Sequence, residues 1–539
     1  MAGRGLRAAL LVALLAGLVT FAAFPPVGVW PLAIAGPAVL IIAVRGRRLR
    51  AAFVVGVSFG VGLYAPLLSW LVNLGVVPYL ALAVLEALIA GGVGVALALA
   101  CRVRWWPLAV AAVWVGAEAA RDRVPFGGFP WGRLAFSQAD APTLRWAAVG
   151  GAPLVSFVVA LAAGLLAWAI LERRLRSALA GLAAVGAVGA GVVLPAGARV
   201  DRSLAVALVQ GNVPRSTDLL AQERKLTVLR NHVAATHALA ARVRAGTVPA
   251  PALVIWPENA TDLDPAVNPV VSDLIAGAVA DVDRPVLVGA VLDAPGNHVY
   301  NAGQLWRPGV GPVQTYVKRH LVPFGEYIPF RSLLTPIVPQ IALVPTDFAP
   351  GQQPTVFRVG GARLGDVICY EIAFDGLVRS TVNAGAGLLV EQTNDASFTR
   401  DGQLGETQQQ LAMARLRAVE HDRSVLVAST SGVSAVLTPD GSVVASTPTF
   451  VQRELVHSVP LVTARTLADR VGDGPEDAIS ALALAALYAG GWRSRPSTHL
   501  RRAGPGPSLP DTRRRVHSSA QLVDGTGCYA TVNAEQHQS

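Results

Sequence analysis

Charged residues and cysteines are scarce in this sequence of 539 residues. Asp, Glu, Lys and Arg make up 15% of the chain, whereas an average soluble domain has about 25%. The cysteines are only Cys101, Cys369 and Cys528, which are too few for a disulfide framework. Hydrophobic residues make up 53% of the chain, and the mean hydropathy is +0.47. This composition excludes a disordered protein, a coiled coil and an ordinary soluble enzyme, and it permits a membrane part joined to a soluble part.

Long apolar runs fill the first two hundred residues. A membrane-spanning helix needs roughly 20 apolar residues. The first run has a basic start like a signal peptide, but a Pro25-Pro26 turn and a second apolar run follow it, so we interpret it as a retained helix. The candidate helices are 6–23, 30–44, 51–74, 77–101, 105–120, 146–170, 177–194 and, near the end, 478–492.

Arginine clusters follow every second candidate helix, at 45–50, 102–104, 173–176 and 493–502. All four clusters fall on one side of the membrane if the eight helices exist, and the arginine-rich side is normally cytoplasmic. The stretch from about 195 to 474 is therefore predicted to be extracytoplasmic. These clusters also account for the net charge of +10, so no nucleic-acid partner is predicted.

One loop departs from this charge pattern. The stretch 121–145 carries four arginines on the predicted outer side, which favours a structured loop at the membrane surface. Two acids, Glu86 and Glu118, lie within or near predicted helices. Intramembrane acids are costly and often functional. The alternative, which stays open, is interfacial placement or pairing with a nearby arginine such as Arg121.

Between about 203 and 462 the pattern changes to short β-type runs that alternate with helices. Most of these runs are continuously apolar, as expected for strands that are buried on both faces. The mixture predicts a layered α/β domain. The predicted strands are 205–209, 253–256, 286–291, 364–369, 388–390, 425–428 and 434–437, and the predicted helices are 222–245 and 406–421.

Three segments of this domain place reactive side chains at strand ends or in loops. Glu258 follows a buried strand, Lys318 precedes a loop rich in Pro and Gly, and Cys369 ends another strand. Each alone has an ordinary structural explanation: a solvated turn, a surface charge and a packed thiol. Together they supply the parts of covalent acyl transfer, because a thiol is a nucleophile once deprotonated, a carboxylate can carry its proton, and a lysine can stabilise an oxyanion.

The segments 256–258, 316–326 and 368–371 resemble the Glu-Lys-Cys triad of the nitrilase (carbon-nitrogen hydrolase) superfamily. Eight apolar helices around such a domain resemble the apolipoprotein N-acyltransferase family, membrane enzymes that add the third acyl chain to bacterial lipoproteins. The segments 128–131, 209–214 and 409–420 are also similar to parts of that family.

The resemblance implies a role for each matching residue. Cys369 would be the nucleophile, Glu258 the general base and acid, and Lys318 the oxyanion stabiliser. The residues that would support them or bind substrate are Glu326, which lies eight residues after Lys318, and Tyr370 and Glu371, which flank the nucleophile.

The resemblance also implies the architecture and the reaction. We expect a multi-pass α-helical membrane domain of about eight helices joined to an extracytoplasmic α/β, nitrilase-like αββα sandwich. The expected division is 1–199, membrane domain; 200–474, catalytic domain; 475–492, eighth helix; and 493–539, a disordered basic cytoplasmic tail. The implied setting is a bacterial cell membrane, with a phospholipid as acyl donor, a diacylated apolipoprotein as acceptor, the lipid bilayer as surroundings, a thioester intermediate, and no cofactor or metal.

Two positions depart from the family pattern and put substrate preference in doubt: Leu219 falls about where some members carry tryptophan, and Ser397 where many do. Other functions also stay open: a membrane-anchored amidase with water as acceptor, and a transporter or scaffold with an inactive hydrolase domain. His232 and His237 lack the further ligands of a zinc site, and we expect them on a solvated helix face.

Overall fold

A series of apolar helices precedes the α/β domain along the chain, as the hydropathy pattern predicts. The computed structural model describes residues 2–172, 175–194, 200–214, 221–336, 341, 344–399 and 403–492. Apolar helices make up the amino-terminal part of these residues, and an α/β domain follows. The predicted tail after Trp492, and Leu219, lie outside the described residues, as does the side chain of Ser397.

Within the described residues, the helical region contains seven α-helices. Three segments, Leu49–Leu67, Val76–Ala100 and Pro142–Leu171, are long and apolar enough to cross a membrane by length and composition, and the stretches Gly5–Phe21, Leu32–Val44 and Leu179–Val193 are shorter apolar helices. The bounds are α1 (Ala2–Phe21), α2 (Leu32–Val44), α3 (Leu49–Leu67), α4 (Val76–Ala100), α5 (Trp106–Arg121), α6 (Ala147–Leu171) and α7 (Leu175–Gly189).

The third helix is shorter than its apolar run. We expected it to reach residue 74, but α3 ends at Leu67 and a 3-10 turn, Ser69–Asn73, follows. Pro66 lies in the last turn of α3 and has no N–H for an α-helical hydrogen bond. The chain therefore leaves the α-helical path early and brings Asn73 to the α/β domain, where its amide donates to the carbonyl of Phe398 at 2.6 Å.

The α/β domain contains the elements from β1 to α13, and one further helix, α14, follows it. Each of the seven strands and two helices predicted there is present. The bounds are β1 (Arg202–Gln210), α8 (Ala221–Arg244), β2 (Leu253–Ile255), α9 (Pro269–Val282), β3 (Val286–Ala294), β4 (His298–Arg307), β5 (Gly311–Val317), α10 (Arg331–Leu334), β6 (Val356–Val359), β7 (Ala362–Ile368), α11 (Asp375–Asn383), β8 (Leu388–Thr393), α12 (Gly405–His421), β9 (Val425–Ser429), β10 (Ala435–Leu437), β11 (Val443–Ser446), β12 (Arg453–Leu461), α13 (Leu467–Val471) and α14 (Gly474–Trp492).

The strands form two six-stranded sheets with the same plan. The first has the order β12-β1-β2-β3-β4-β5 and the second β11-β10-β9-β8-β7-β6. In each sheet three central strands are parallel: β1, β2 and β3 in the first, and β7, β8 and β9 in the second. The carboxyl ends of neighbouring parallel strands meet at one edge of a sheet, which is where polar side chains can converge.

Three cores define four layers. Residues such as Leu208, Ile255 and Ile368 fill the space between the sheets. The outer face of the first sheet packs on α8 and α9. The outer face of the second sheet joins a larger core that also contains helix α12 and the apolar helices. The predicted αββα sandwich is therefore confirmed, and one of its outer layers packs against the helical region.

Helix α12 joins the two parts of the molecule. The Gln409 amide donates to the carbonyls of Pro25 and Leu67 at 3.1 and 3.3 Å, and the Trp131 indole donates to Gln409 at 2.6 Å. At least three connections therefore reach the α/β domain: those between α1 and α2, between α3 and α4, and between α5 and α6.

Two arginines of the stretch 121–145 are engaged by carboxylates. Arg121 pairs with Glu86 at 3.1 Å, and Arg133 pairs with Asp122 at 3.0 Å and with Glu118 at 3.7 Å. Both guanidinium groups are buried. Of the two explanations for Glu86 and Glu118, pairing with arginine is therefore the one observed, and the loop is ordered as expected.

Candidate active site

A sharp bend follows strand β7 and presents Cys369. The residue adopts a φ of 53°, which a side chain with a Cβ rarely takes. A 3-10 turn, Cys369–Ala373, begins there. Strained backbone of this kind persists where the surrounding structure enforces it, and it is common at active sites. The bend directs the thiol away from the strand while leaving it only partly exposed.

Glu258 and Lys318 come from the other sheet. Glu258 lies just after the carboxyl end of β2, and Lys318 directly follows β5. The Lys318 ammonium donates to Glu258 at 3.3 Å and to Glu326 at 2.9 Å. All three side chains are largely buried, with Lys318 only 1% exposed. An ammonium has three N–H donors, so these two contacts leave one donor for a developing oxyanion.

Asn301, on β4, completes the arrangement and was not predicted. Its amide donates to Glu258 at 2.7 Å and to Glu326 at 2.8 Å, so one side chain fixes both carboxylates. The second oxygen of Glu326 accepts from the backbone N–H of Val322 at 2.7 Å. The sequence did contain one signal for Asn301, because it is a polar residue within a run of otherwise β-type residues. A buried polar side chain needs hydrogen-bond partners.

Burial and charge set the protonation states of these groups. Burial raises the pKa of Glu258; the Lys318 ammonium opposes that rise and the Glu326 carboxylate adds to it. Burial alone would lower the pKa of Lys318, but the carboxylates of Glu326 and Glu258 outweigh it and raise that pKa, so the amine stays charged.

The charges of Glu258 and Lys318 also act on the Cys369 thiol. Burial raises the pKa of the thiol well above its usual range, and the Glu258 carboxylate raises it further, while Lys318 and a hydrogen bond with Thr393 oppose the rise. The resting Cys369 side chain is therefore a neutral thiol. A proton must pass from the sulfur as it attacks, and Glu258 is the charged oxygen group that acts on it most strongly.

Glu371 has a different environment from the other acids. Its two oxygens accept from the backbone N–H groups of Arg319, His320 and Ile368 at 2.7, 3.0 and 2.8 Å, and from the Tyr316 hydroxyl at 2.7 Å. The side chain is fully buried. It therefore ties the segment after Lys318 to the bend at Cys369.

Tyr370 faces the helical region. Its hydroxyl donates to the carbonyl of Gly128 at 3.0 Å, and its ring stacks on Phe129 with 6.2 Å between centroids. Phe129 also stacks on Trp131, which contacts Trp70. The bend at Cys369 thus lies against an aromatic wall that the α5–α6 and α3–α4 connections supply.

One prediction about the histidines is wrong. His232 is fully buried on α8, where its Nδ1 lies 2.8 Å from the carbonyl of Val228 and its ring packs on Trp256. Gly211 makes room for that ring, because a Cβ there would lie 2.5 Å from it. Only His237 has the expected exposed position, where it pairs with Asp281 at 2.6 Å.

Two family models match the chain. "Apolipoprotein N-acyltransferase N-terminal domain" matches residues 16–165, and "Carbon-nitrogen hydrolase" matches residues 205–469. An apolipoprotein N-acyltransferase of Mycolicibacterium smegmatis is 37% identical over 85% of this chain and 80% of its own length. This chain belongs to the apolipoprotein N-acyltransferase family.

Other members of the family are similar over most of the chain as well. The apolipoprotein N-acyltransferase of Shewanella oneidensis is 31% identical over 86% of this chain and 92% of its own length. A solved amidase from Nesterenkonia sp. is 20% identical, covers 52% of this chain and 98% of its own, and has a TM-score of 0.37. The family's two matched segments correspond to the helical region and the α/β domain.

Proposed function

We propose that this protein N-acylates the amino-terminal diacylglyceryl-cysteine of apolipoproteins, with a phospholipid as acyl donor and Cys369 as the nucleophile. The observation that carries the proposal is the buried pair of Glu258 and Lys318, 3.3 Å apart, whose charges both act on the Cys369 thiol. Family membership supports the same reaction, because the matched relatives are named apolipoprotein N-acyltransferases.

The first half-reaction forms a thioester. Glu258 takes the thiol proton while the sulfur attacks the ester carbonyl of the phospholipid, and the carbonyl oxygen becomes an oxyanion that Lys318 stabilises. When the tetrahedral intermediate collapses, the C–O bond to the glycerol breaks. Glu258 then returns the proton to the leaving oxygen, and a lysophospholipid departs.

The second half-reaction forms an amide. The free α-amino group of the acceptor's cysteine attacks the thioester, Lys318 again stabilises the oxyanion, and the C–S bond breaks. Glu258 takes a proton from the attacking amine and delivers it to the departing sulfur, which regenerates the thiol and the carboxylate. A thioester suits this step because it is activated toward amines.

The helical region explains how two lipid substrates reach the site. Moving an acyl chain from a bilayer into water costs about 0.8 kcal/mol per CH₂ group, which is prohibitive for a long chain. Phe129 and Trp131 belong to a connection between apolar helices, and their stacked rings reach Tyr370, beside Cys369. We infer that the substrates enter from the bilayer along this aromatic wall.

The proposed topology places the α/β domain outside a bacterial cell membrane. The connections that contact this domain follow α1, α3 and α5, whereas the arginine clusters at 45–50 and 102–104 follow α2 and α4. Successive spanning helices run in opposite directions, so the clusters lie at the far ends of the helices. The positive-inside rule makes those ends cytoplasmic. We accordingly propose 1–199 as membrane domain, 200–474 as catalytic domain and 475–492 as an eighth membrane helix.

The roles of the supporting residues are also part of the proposal. Glu326 holds Lys318 in place, Glu371 braces the two loops that carry Lys318 and Cys369, and Tyr370 seats the nucleophile against the helical region.

An acylation assay with purified protein tests the function. The donor is a phospholipid labelled in its acyl chain, and the acceptor is a synthetic peptide with a diacylglyceryl-cysteine and a free α-amino group. The same peptide, acetylated on that amine, is the matched control. A labelled amide on the free peptide alone is expected. Labelled fatty acid with either peptide would indicate an amidase-like hydrolase that uses water, and no product from the donor would overturn the proposal.

A further inference from the structure

A buried arginine binds the carbonyl groups at the end of the nucleophile turn, the 3-10 turn Cys369–Ala373. Arg417, on α12, donates from Nε to the carbonyl of Ile372 and from Nη2 to that of Ala373, both at 2.8 Å. These carbonyls close the turn that begins at Cys369. Arg417 is fully buried. Because the Cys369 backbone is in a left-handed conformation that an L-residue disfavours, the turn depends on such outside contacts.

Asp375 connects Arg417 to a second buried arginine. Its Oδ1 lies 2.6 Å from Nη2 of Arg417, and both of its oxygens accept from Nη1 of Arg133 at 3.0 Å. Carboxylate–guanidinium contacts of this kind fix geometry as well as charge. The Arg133 side chain is only 2% exposed, so water does not screen the bridge.

Arg133 belongs to the helical region. It lies in the connection between α5 and α6 and also pairs with Asp122 at 3.0 Å, at the end of α5. A continuous path of buried contacts therefore runs from α5, through Arg133, Asp375 and Arg417, to the turn that carries Cys369.

We propose that this path, the Arg133–Asp375–Arg417 bridge, is a positioning device through which the helical region sets the reactivity of Cys369. Its three residues do not touch the reacting atoms; they act through the backbone of the nucleophile turn. Acyl transfer then requires the turn that carries Cys369 to be held at a fixed position relative to the aromatic wall. The bridge connects these two parts.

A neighbouring ion pair offers a matched control. Arg415 lies two residues before Arg417 on the same helix and pairs with Asp140 of the same α5–α6 connection at 2.8 Å. This pair is exposed, since the Asp140 side chain is 67% accessible. Arg415 bonds the carbonyl of Gly441 and not the nucleophile turn. It joins the same two parts of the molecule without reaching Cys369.

The test compares Arg133→Gln and Asp375→Asn with Arg415→Gln in the full-length protein. Three quantities are measured: thermal unfolding in detergent, formation of acyl-enzyme from a labelled phospholipid, and alkylation of Cys369 by iodoacetamide across pH, read from the Cys369 peptide by mass spectrometry. The two bridge variants should form acyl-enzyme about 10- to 100-fold more slowly, the usual effect of misplacing a reacting group from a distance. Their KM for donor should change little, the pH profile of Cys369 alkylation should shift, and Arg415→Gln should match the wild type.

Other results would overturn the inference. A bridge that only holds the two parts together would lower the unfolding temperature and leave the alkylation profile of Cys369 unchanged. If Arg133→Gln does not fold, Arg133→Lys is the second variant, because lysine keeps the positive charge but lacks the planar set of donors of the guanidinium group. It should show the same kinetic defect. The inference rests on the proposed function, and the wild-type protein distinguishes a failure of one from a failure of the other. If the wild type forms no acyl-enzyme, the proposed function is wrong. If the bridge variants are as active as Arg415→Gln, only the inference is wrong.

Discussion

The side-chain amide of Asn301, on strand β4, donates to Glu258 at 2.7 Å. It thereby orients the proposed general base, which follows strand β2 of the same sheet. The same nitrogen reaches Glu326 at 2.8 Å, so a neutral group separates two carboxylates that share one lysine. This arrangement keeps the acids close to Lys318 without placing a second positive charge beside the thiol.

Replacing Asn301 with Asp should therefore impair catalysis. The substitution keeps the shape of the side chain but removes both N–H donors and adds a third carboxylate next to Glu258 and Glu326. We expect kcat to fall by about 100-fold, the effect of moving a catalytic group out of position. Steady-state acylation kinetics measure the effect. An Asn301→Asp variant with wild-type kcat would show that the amide does not orient Glu258.

The acid limb of the pH–rate profile should report Glu258. The carboxylate must be unprotonated to take the thiol proton, and burial raises its pKa, so activity should fall as pH decreases through a value above the usual range for glutamate. Glu326→Gln removes a like charge that also raises the pKa of Glu258, so the limb should move to lower pH.

A second carboxylate provides the control for that shift. Glu454 lies on β12, at the opposite edge of the sheet from β5, and pairs with Arg242. Glu454→Gln should leave the acid limb where it is. A limb that moves equally in both variants, or that moves to higher pH in Glu326→Gln, would contradict the assignment to Glu258.

Glu371→Gln should destabilise the protein more than it changes any substrate contact. The carboxylate accepts four hydrogen bonds from buried donors, and an amide offers one oxygen and turns an NH₂ group toward backbone N–H groups. Each lost bond to a charged group costs about 1.5–3 kcal/mol, so a loss of roughly 3 kcal/mol or more is expected. Unfolding in detergent measures it, and Tyr316→Phe, which removes only one of the four donors, should cost less, about 1.5–3 kcal/mol.

Gly303→Ala tests the close approach of the two sheets behind the site. A Cβ at this position on β4 would lie 2.2 Å from Oδ2 of Asp366 and 2.6 Å from Oε1 of Gln392. Overpacking of this kind typically costs about 1–3 kcal/mol. The Gln392 amide donates to the carbonyl of Trp256, two residues before Glu258, so activity should fall as well.

The matched control for that substitution is Gly277→Ala. Gly277 lies in helix α9 with nothing within 4 Å of its Cβ position. Alanine there should stabilise the protein by about 0.5–1 kcal/mol. Equal thermal stability of the two alanine variants would contradict the packing described between Gly303 and Asp366.

The apolar helices and buried strands could be predicted because their signal is local. Short apolar runs such as Val286–Val291 and Leu388–Val390 are typical of strands buried on both faces, and β3 and β8 contain them. Strands β4 and β12 were missed because polar residues interrupt them. Asn301 belongs to the site, and Arg453 and Glu454 lie on an edge strand, so tertiary position decides their conformation.

The site was only partly accessible from the sequence. Lys318 is one of only two lysines in the chain, beside 43 arginines, which marks it as a position where a compact ammonium is required. Its position near Glu258 and Glu326 was implied by the family resemblance. The Asn301 contact and the Arg133–Asp375–Arg417 bridge could not be predicted, because each joins segments of long sequence separation through side chains that have no motif of their own.

The most direct test of the account is the mass of the peptide that contains Cys369 after the protein is incubated with a single defined phospholipid and no acceptor. The account predicts a mass increase of one acyl chain on Cys369, removed by neutral hydroxylamine as a thioester is, and absent in Cys369→Ala. Acyl-enzyme that persists in Cys369→Ala, or acylation found on another residue while Cys369 stays unmodified, would contradict it.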